Sequence, residues 1–161
     1  MSGNVFVGDQ VLLDIGFDAA LSRLRRLAAD GVLLGAAEYA YRVAITGLAE
    51  EAGAAAVLSR LAGVEPADVV VTPDRARLPL RWGAIGPDGT LFPALDADLT
   101  LTPAGDQTTV LALAGVYRLP RQQTPARVDP ATVRCFAAVT IRGFIARLAC
   151  ALMHPAGLIL Q

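Results

Sequence analysis

The chain contains no lysine: all 14 of its basic residues are arginine. That absence removes Schiff-base chemistry and every lysine-dependent phosphate loop. A single histidine, His154, leaves no His–His metal pair and confines any histidine-dependent catalysis to one position near the C-terminus. With two cysteines, Cys135 and Cys150, no disulfide framework or thiolate metal cluster can be built. Charge is also scarce. Charged residues make up 18% of the chain, and 14 basic residues against 15 acidic give a net charge of −1, which supplies no overall attraction to nucleic-acid phosphate. Glycine-rich dinucleotide and Walker loops, the nucleophile-elbow pattern and metal-ligand spacings are all missing.

What is present is apolar surface. Of 161 residues, 54% are hydrophobic, which excludes a disordered chain. A protein of this length buries roughly two thirds of its unfolded surface without metal or disulfide staples. One domain spanning residues 1–161 is expected, with no metal and no cofactor. The chain opens Met1-Ser2-Gly3-Asn4, without the basic and apolar start of a secretory signal, so a cytoplasmic location is the expectation. The most apolar stretch, Val133 to Leu160, is interrupted by Arg134, Arg142 and Arg147, which argues against an integral membrane segment.

Val5 to Leu13 reads as a strand. Phe17, Leu21, Leu24 and Ala28 then recur at helical spacing, with Asp18 in the first turn and Gly31 as a stop, and specify a short amphipathic helix. A further helical turn fits Gly31 to Ala37. From Glu38 the pattern alternates: Tyr39, Tyr41, Val43 and Ile45 share one side and Arg42 the other, which predicts a strand. Glu50 to Ala56 is an alanine-rich connection. Val57 to Val71 is strand-like, with Pro66 as an interruption, and Thr72-Pro73-Asp74-Arg75 turns the chain.

Arg75 to Pro120 predicts a meander of antiparallel strands. Asp88-Gly89 is the preferred pair for a two-residue hairpin turn. Counting outward from it pairs Trp82 with Leu95, Leu80 with Ala97 and Leu78 with Leu99 on an apolar face, and Arg81 with Asp96 and Arg77 with Thr100 on a polar one. A second two-residue turn at Gly105-Asp106 would aim Val110, Ala112, Ala114 and Val116 inward and leave Leu111 and Leu113 outside. A slip of one residue reverses the two sets and decides where Tyr117 points.

Asp129-Pro130 is an N-cap followed by proline at the first helical position. The helix it starts should run to about Met153, roughly 36 Å at 1.5 Å per residue. Val133, Phe136, Ala137, Thr140, Ile141, Phe144, Ile145, Leu148 and Leu152 form its apolar face, and the meander's inner face is the surface for it to lie on. Cys135 and Cys150 on this helix are expected to be buried thiols, too far apart to bond to each other.

This order, strand, short helices, antiparallel meander with the hairpin RLPLRWGAIGPDGTLFPALDADLTLTP, and one long C-terminal helix, resembles the START and Bet v1-like (SRPBCC) superfamily. The resemblance implies an α+β helix-grip fold, a curved antiparallel sheet wrapped around the long C-terminal helix with a cavity between them. Members bind lipids, isoprenoids, hormones or polyketides, and some are polyketide cyclases or aromatases. It therefore implies a small hydrophobic molecule as partner, with Tyr39, Tyr41, Leu80, Trp82, Leu95, Ala97, Phe136, Thr140 and Phe144 around it. A polyketide cyclase or aromatase using the same cavity is the alternative. It would need a tyrosine hydroxyl or an inward arginine, such as Arg42 or Arg60, to polarise a carbonyl.

Each candidate has a plainer reading. The tyrosines and Trp82 serve equally as core residues with a polar tip. The alanines of the inner face (Ala76, Ala84, Ala97, Ala112, Ala114) either leave room for a ligand or let the helix approach closely. Asp96 and Asp98, a D-x-D pattern, fall on the polar face beside Arg81 and read as solvated charges rather than a cation site. Glu50-Glu51 does not supply opposed carboxylates. Arg23, Arg25 and Arg26 mark a charged helix surface, and His154 a helix C-terminus. A third role, a homodimeric interaction module, is suggested by the doubly apolar strand Val110 to Val116 and by Leu158-Ile159-Leu160.

Overall fold

The computed structural model describes residues 4–47, 60–66, 68–85, 91–118 and 130–154. The order is β1 (Asn4–Leu13), α1 (Phe17–Ala29), α2 (Val32–Gly47), β2 (Arg60–Pro66), β3 (Val70–Thr72), β4 (Arg75–Ile85), β5 (Leu91–Gly105), β6 (Thr108–Arg118) and α3 (Pro130–Met153). The strands form one antiparallel sheet in the order β1-β6-β5-β4-β2, with β3 also paired to β4. Its inner face packs with the helices into a single apolar core. Asp9, half-buried on β1 opposite Leu113, puts a charge on the inner side of an edge strand, a device that discourages further strand pairing.

The central hairpin has the register that parity predicts. Trp82 pairs with Leu95, Leu80 with Ala97, Leu78 with Leu99, Arg81 with Asp96 and Arg77 with Thr100. Nearer the turn the register moves by one between Trp82 and Ala84, and Ala84 faces Phe92 rather than Pro93. An irregularity thus sits between the turn and the pairs counted from it; Asp88-Gly89 itself lies outside the described residues. On the outer face Asp96 is bridged by Arg81 at 3.5 Å and Arg118 at 3.2 Å, and Asp98 by Arg77 at 3.3 Å. These exposed pairs contribute little stability, and they place the D-x-D among arginines rather than at a cation site.

The second hairpin takes the slipped register. Gly105 pairs with Thr108 across Asp106 and Gln107, and Leu101 faces Leu111. Leu111, Leu113 and Tyr117 are therefore buried on the inner face, while Val110, Ala112, Ala114 and Val116 point outward. This corrects the expectation from a Gly105-Asp106 turn and removes Ala112 and Ala114 from the inner face. The outer side of β1 and β6 keeps an apolar strip that includes Phe6, 81% exposed. Leu158-Ile159-Leu160 lies outside the described residues.

The strand expected from Glu38 is instead the second half of α2. Leu33, Ala36, Ala37, Ala40, Tyr41, Ala44 and Ile45 are its buried residues, the i, i+3, i+4 spacing of a helix face. Four of those seven are alanines, which favour helix and let α2 approach α3 closely: a Cβ added at Gly143 would stand 3.3 Å from the Ala40 Cβ. Gly31, at φ 77°, makes the turn between α1 and α2 in a conformation that suits glycine. The strand-like Val57 to Val71 resolves into β2, ending at Pro66, and β3.

The long helix begins and ends where its N-terminal proline and apolar period predict. Phe136, Ala137, Thr140, Ile141, Phe144, Ile145, Leu148 and Leu152 are buried, and Arg134, Arg142 and Arg147 exposed. Cys135 and Cys150 are exposed rather than buried, because their positions around the helix fall off the buried face. The span Arg134–Met153 is long and apolar enough to cross a membrane by length and composition, and 56% of it is buried inside this fold. At the helix end, Arg23 of α1 donates to the Leu152 carbonyl at 2.7 Å, satisfying one of the orphan acceptors of the last turn. His154 contributes its backbone N–H to the Cys150 carbonyl at 2.8 Å, and its side chain is exposed.

Candidate ligand-binding site

Between the sheet and α3 lies a layer built from inward rows of the meander. Trp82 on β4, Leu95 on β5 and Tyr117 on β6 form one row. Leu80, Ala97 and Gly115 form the next, with two small residues in its middle. Above these rows α3 places Phe136, Thr140 and Phe144 along its buried face, and α2 adds Tyr41. The rings meet edge to face: Trp82 and Phe144 at 5.1 Å, Tyr41 and Phe136 at 5.5 Å, Tyr117 and Phe136 at 6.0 Å between centroids. That geometry places the positive edge of one ring on the negative face of another.

The fold therefore gathers Tyr41, Leu80, Trp82, Leu95, Ala97, Phe136, Thr140 and Phe144, all buried. Tyr39 is the exception. It was expected beside Tyr41 on a strand face, but on a helix the two differ by about 200°. Tyr39 is 49% exposed and carries the Arg147 guanidinium 3.9 Å above its ring. Arg42 is exposed as well, and the side chain of Arg60 lies outside the described residues. The residue left undecided by sequence is Tyr117, 1% exposed; the register shift between Pro103 and Gly105, beside the turn, is what places it on the inner face.

Polar groups in this layer sit among the rings. The Trp82 indole N–H donates to the Tyr117 hydroxyl at 3.3 Å, and the Thr140 hydroxyl donates to the Phe136 carbonyl at 2.8 Å. Burial drives the Tyr117 phenol well above its ordinary value, with the bonds to Trp82 and Thr140 offsetting part of the rise and Tyr41 adding to it. Tyr117 is thus neutral at any ordinary pH. Among the described residues no buried side-chain polar atom lacks a partner, and no group of three metal-ligating side chains occurs.

Alkaline stability follows from that rise. Below a pH of about 10 the phenol is protonated in both states. Above it, the unfolded chain releases a proton that folded Tyr117 retains, so unfolding becomes easier as pH rises. Relative to Tyr117→Phe, the wild type should lose about 1.4 kcal/mol more per pH unit through this range. Urea midpoints of both proteins at pH 9 and pH 11 check this, and curves falling in parallel would contradict it.

No family model and no curated protein matches the chain. Solved structures do. A conserved protein from Geobacillus kaustophilus superposes with a TM-score of 0.53 at 16% identity, over 92% of this chain and 95% of that one. Weaker likenesses include the Zhui aromatase/cyclase from Streptomyces sp. R1128, with a TM-score of 0.43 at 10% identity over 98% of this chain and 96% of that one. The lipid transfer and protein localization domain of human StarD13 gives 0.40 at 10% identity, over 93% and 77%. The architecture is α+β, an antiparallel sheet with the long C-terminal helix packed on it. This is the helix-grip arrangement that the order of elements predicts.

Proposed function

We propose that this protein binds a small hydrophobic molecule between the sheet and α3, against Trp82, Tyr117 and the inward side chains of α3. One observation carries the reading: a buried polar pair, Trp82 donating to Tyr117, set among aromatic rings and next to the small residues Ala97 and Gly115. An apolar site with a few fixed polar groups is the usual form of a small-molecule pocket. The cyclase reading finds inward polar groups within reach of one another, but among the described residues no charged side chain is buried beside them. A cyclase has to move protons as well as stabilise an enolate or polarise a carbonyl, so binding without chemistry is the better-supported reading.

Trp82 is the only tryptophan in the chain, so intrinsic fluorescence reports on the site alone. The test is native mass spectrometry of the protein purified from its expression host, joined to fluorescence titration of delipidated protein with decan-2-ol. A retained or added small apolar molecule, with a saturable change in Trp82 emission, is the expected result. A bare mass with unchanged emission would overturn the proposal.

A further inference from the structure

A surface helix ordinarily turns polar and charged side chains to water; α3 does not. Between its arginines the exposed residues are Cys135, Ala138, Val139, Ala146 and Cys150. α2 lies against it at Ala40 and Gly143 and adds exposed Tyr39 and Val43, with the Tyr39 ring under the Arg147 guanidinium. Charge on α3 has one sign. Arg134, Arg142 and Arg147 are all exposed and the helix holds no acidic residue, in a chain whose net charge is −1. On α2 the exposed Glu38 and Arg42 are opposite in sign, so the surplus belongs to α3. The sheet's outer face differs: there Arg77, Arg81 and Arg118 are neutralised by Asp96 and Asp98. Among the described residues no carboxylate pairs with the three arginines of α3.

We infer that the outer face of α2 and α3 docks on an anionic lipid bilayer, with α3 lying along the surface and its arginines among the headgroups. Phosphate and carboxylate headgroups supply the negative charge that the chain itself does not offer these arginines. Arginine stems lie along apolar surface while the guanidinium reaches the polar layer, and a tyrosine with an apolar body and polar tip suits the same depth. Arg134 and Arg147 are roughly 20 Å apart along the helix, far enough to engage separate headgroups. The opposite side of α3, with Phe144 and Leu148, is committed to the core, so the helix lies on a bilayer rather than crossing it. A second copy fits this face poorly, because it would set three arginines against three with no acid on either helix. Nucleic acid would engage the arginines and leave Tyr39, Val43 and Val139 in water.

The test floats the full chain with vesicles of phosphatidylcholine alone and with vesicles containing about one third phosphatidylserine. Binding should be confined to the phosphatidylserine vesicles and be lost when salt is raised to about 0.5 M, where surface charges are screened. Arg134→Gln/Arg142→Gln should weaken it about thirtyfold, the scale of two arginines at an anionic surface. Arg77→Gln/Arg81→Gln removes the same charge from the sheet face and should stay within about threefold of the wild type. Val139→Asp, on the docking face but not at an arginine, should also weaken binding and decides the matter if the first pair does not fold. Equal binding to both vesicle types, binding to neither, or equal losses in the two double variants would overturn the inference. So would equally tight binding to a DNA duplex at the same salt, or a wild-type dimer that Val139→Asp dissociates. None of these results bears on whether a ligand enters the layer beneath α3, because the inference does not rest on that reading.

Discussion

Leu113→Asp abolishes cooperative folding of this chain. Leu113 is 1% exposed on the inner face of β6, paired with Leu99 on one side and Asp9 on the other, within the core that α3 completes. A carboxylate there has no cationic partner. Removing an unpaired charge from water costs several kcal/mol, against a total stability of about 5–15 kcal/mol for a domain of ordinary size; the Asp9 carboxylate opposite makes the position worse. The adjacent Ala114 is exposed on the outer face, and Ala114→Glu should cost no more than about 1 kcal/mol. Urea unfolding followed by circular dichroism and by Trp82 emission measures both. The pair tests the register directly, since a shift of one residue would exchange the two outcomes.

Gly115→Ala is expected to cost about 3 kcal/mol, the upper part of the range for overpacking a close-fitted interior. A Cβ at Gly115 would overlap Ala97, at both its Cβ and its Cα, and the Asp96 carbonyl oxygen. Two of these are backbone atoms, so no rotamer change relieves the contact and β5 must move away from β6. The movement falls beside the Trp82–Leu95–Tyr117 row, so ligand affinity should fall with stability. Gly35 is the control. A Cβ there meets nothing within 4 Å, and replacing glycine by alanine inside a helix is favourable by roughly 0.5–1 kcal/mol. Equal unfolding midpoints for the two variants would contradict the close approach of β5 and β6.

How far the sequence discloses this arrangement depends on the signal each element carries. The long helix was legible at both ends because proline at its first position and an apolar period over 24 residues point the same way. The β4–β5 pairing was legible because turn chemistry and side-chain parity agreed. It held from Trp82 outward even though the register shifts nearer the turn. The β6 register was not legible: leucines occupy one side of that strand and valines and alanines the other, so apolarity alone does not choose a face. Only the cover of the helices and the register shift between Pro103 and Gly105 choose it, and Tyr117 stayed undecided with it. Alternating Tyr39, Tyr41, Val43 and Ile45 imitated a strand because the alanines that complete the α2 face are too small to mark a helical stripe. That error placed Tyr39 in the site. Tyr41 reached the core on other grounds, since it lies at i+4 from Ala37 and next to Ala40. Cys135 and Cys150 show the same limit, because position around a helix outweighs the usual burial of the residue type.

The central claim is that an apolar molecule enters the layer beneath α3. The most direct measurement is a nitrogen–proton correlation spectrum of labelled protein titrated with decan-2-ol, following the one indole N–H signal of Trp82. Its bond to Tyr117 lies at the centre of the proposed site, so that signal should shift saturably, together with the amides of Ala97, Gly115 and Thr140. An unmoved indole signal, with shifts confined to Phe6, Val110 and Val116 on the outer face of β1 and β6, would contradict it.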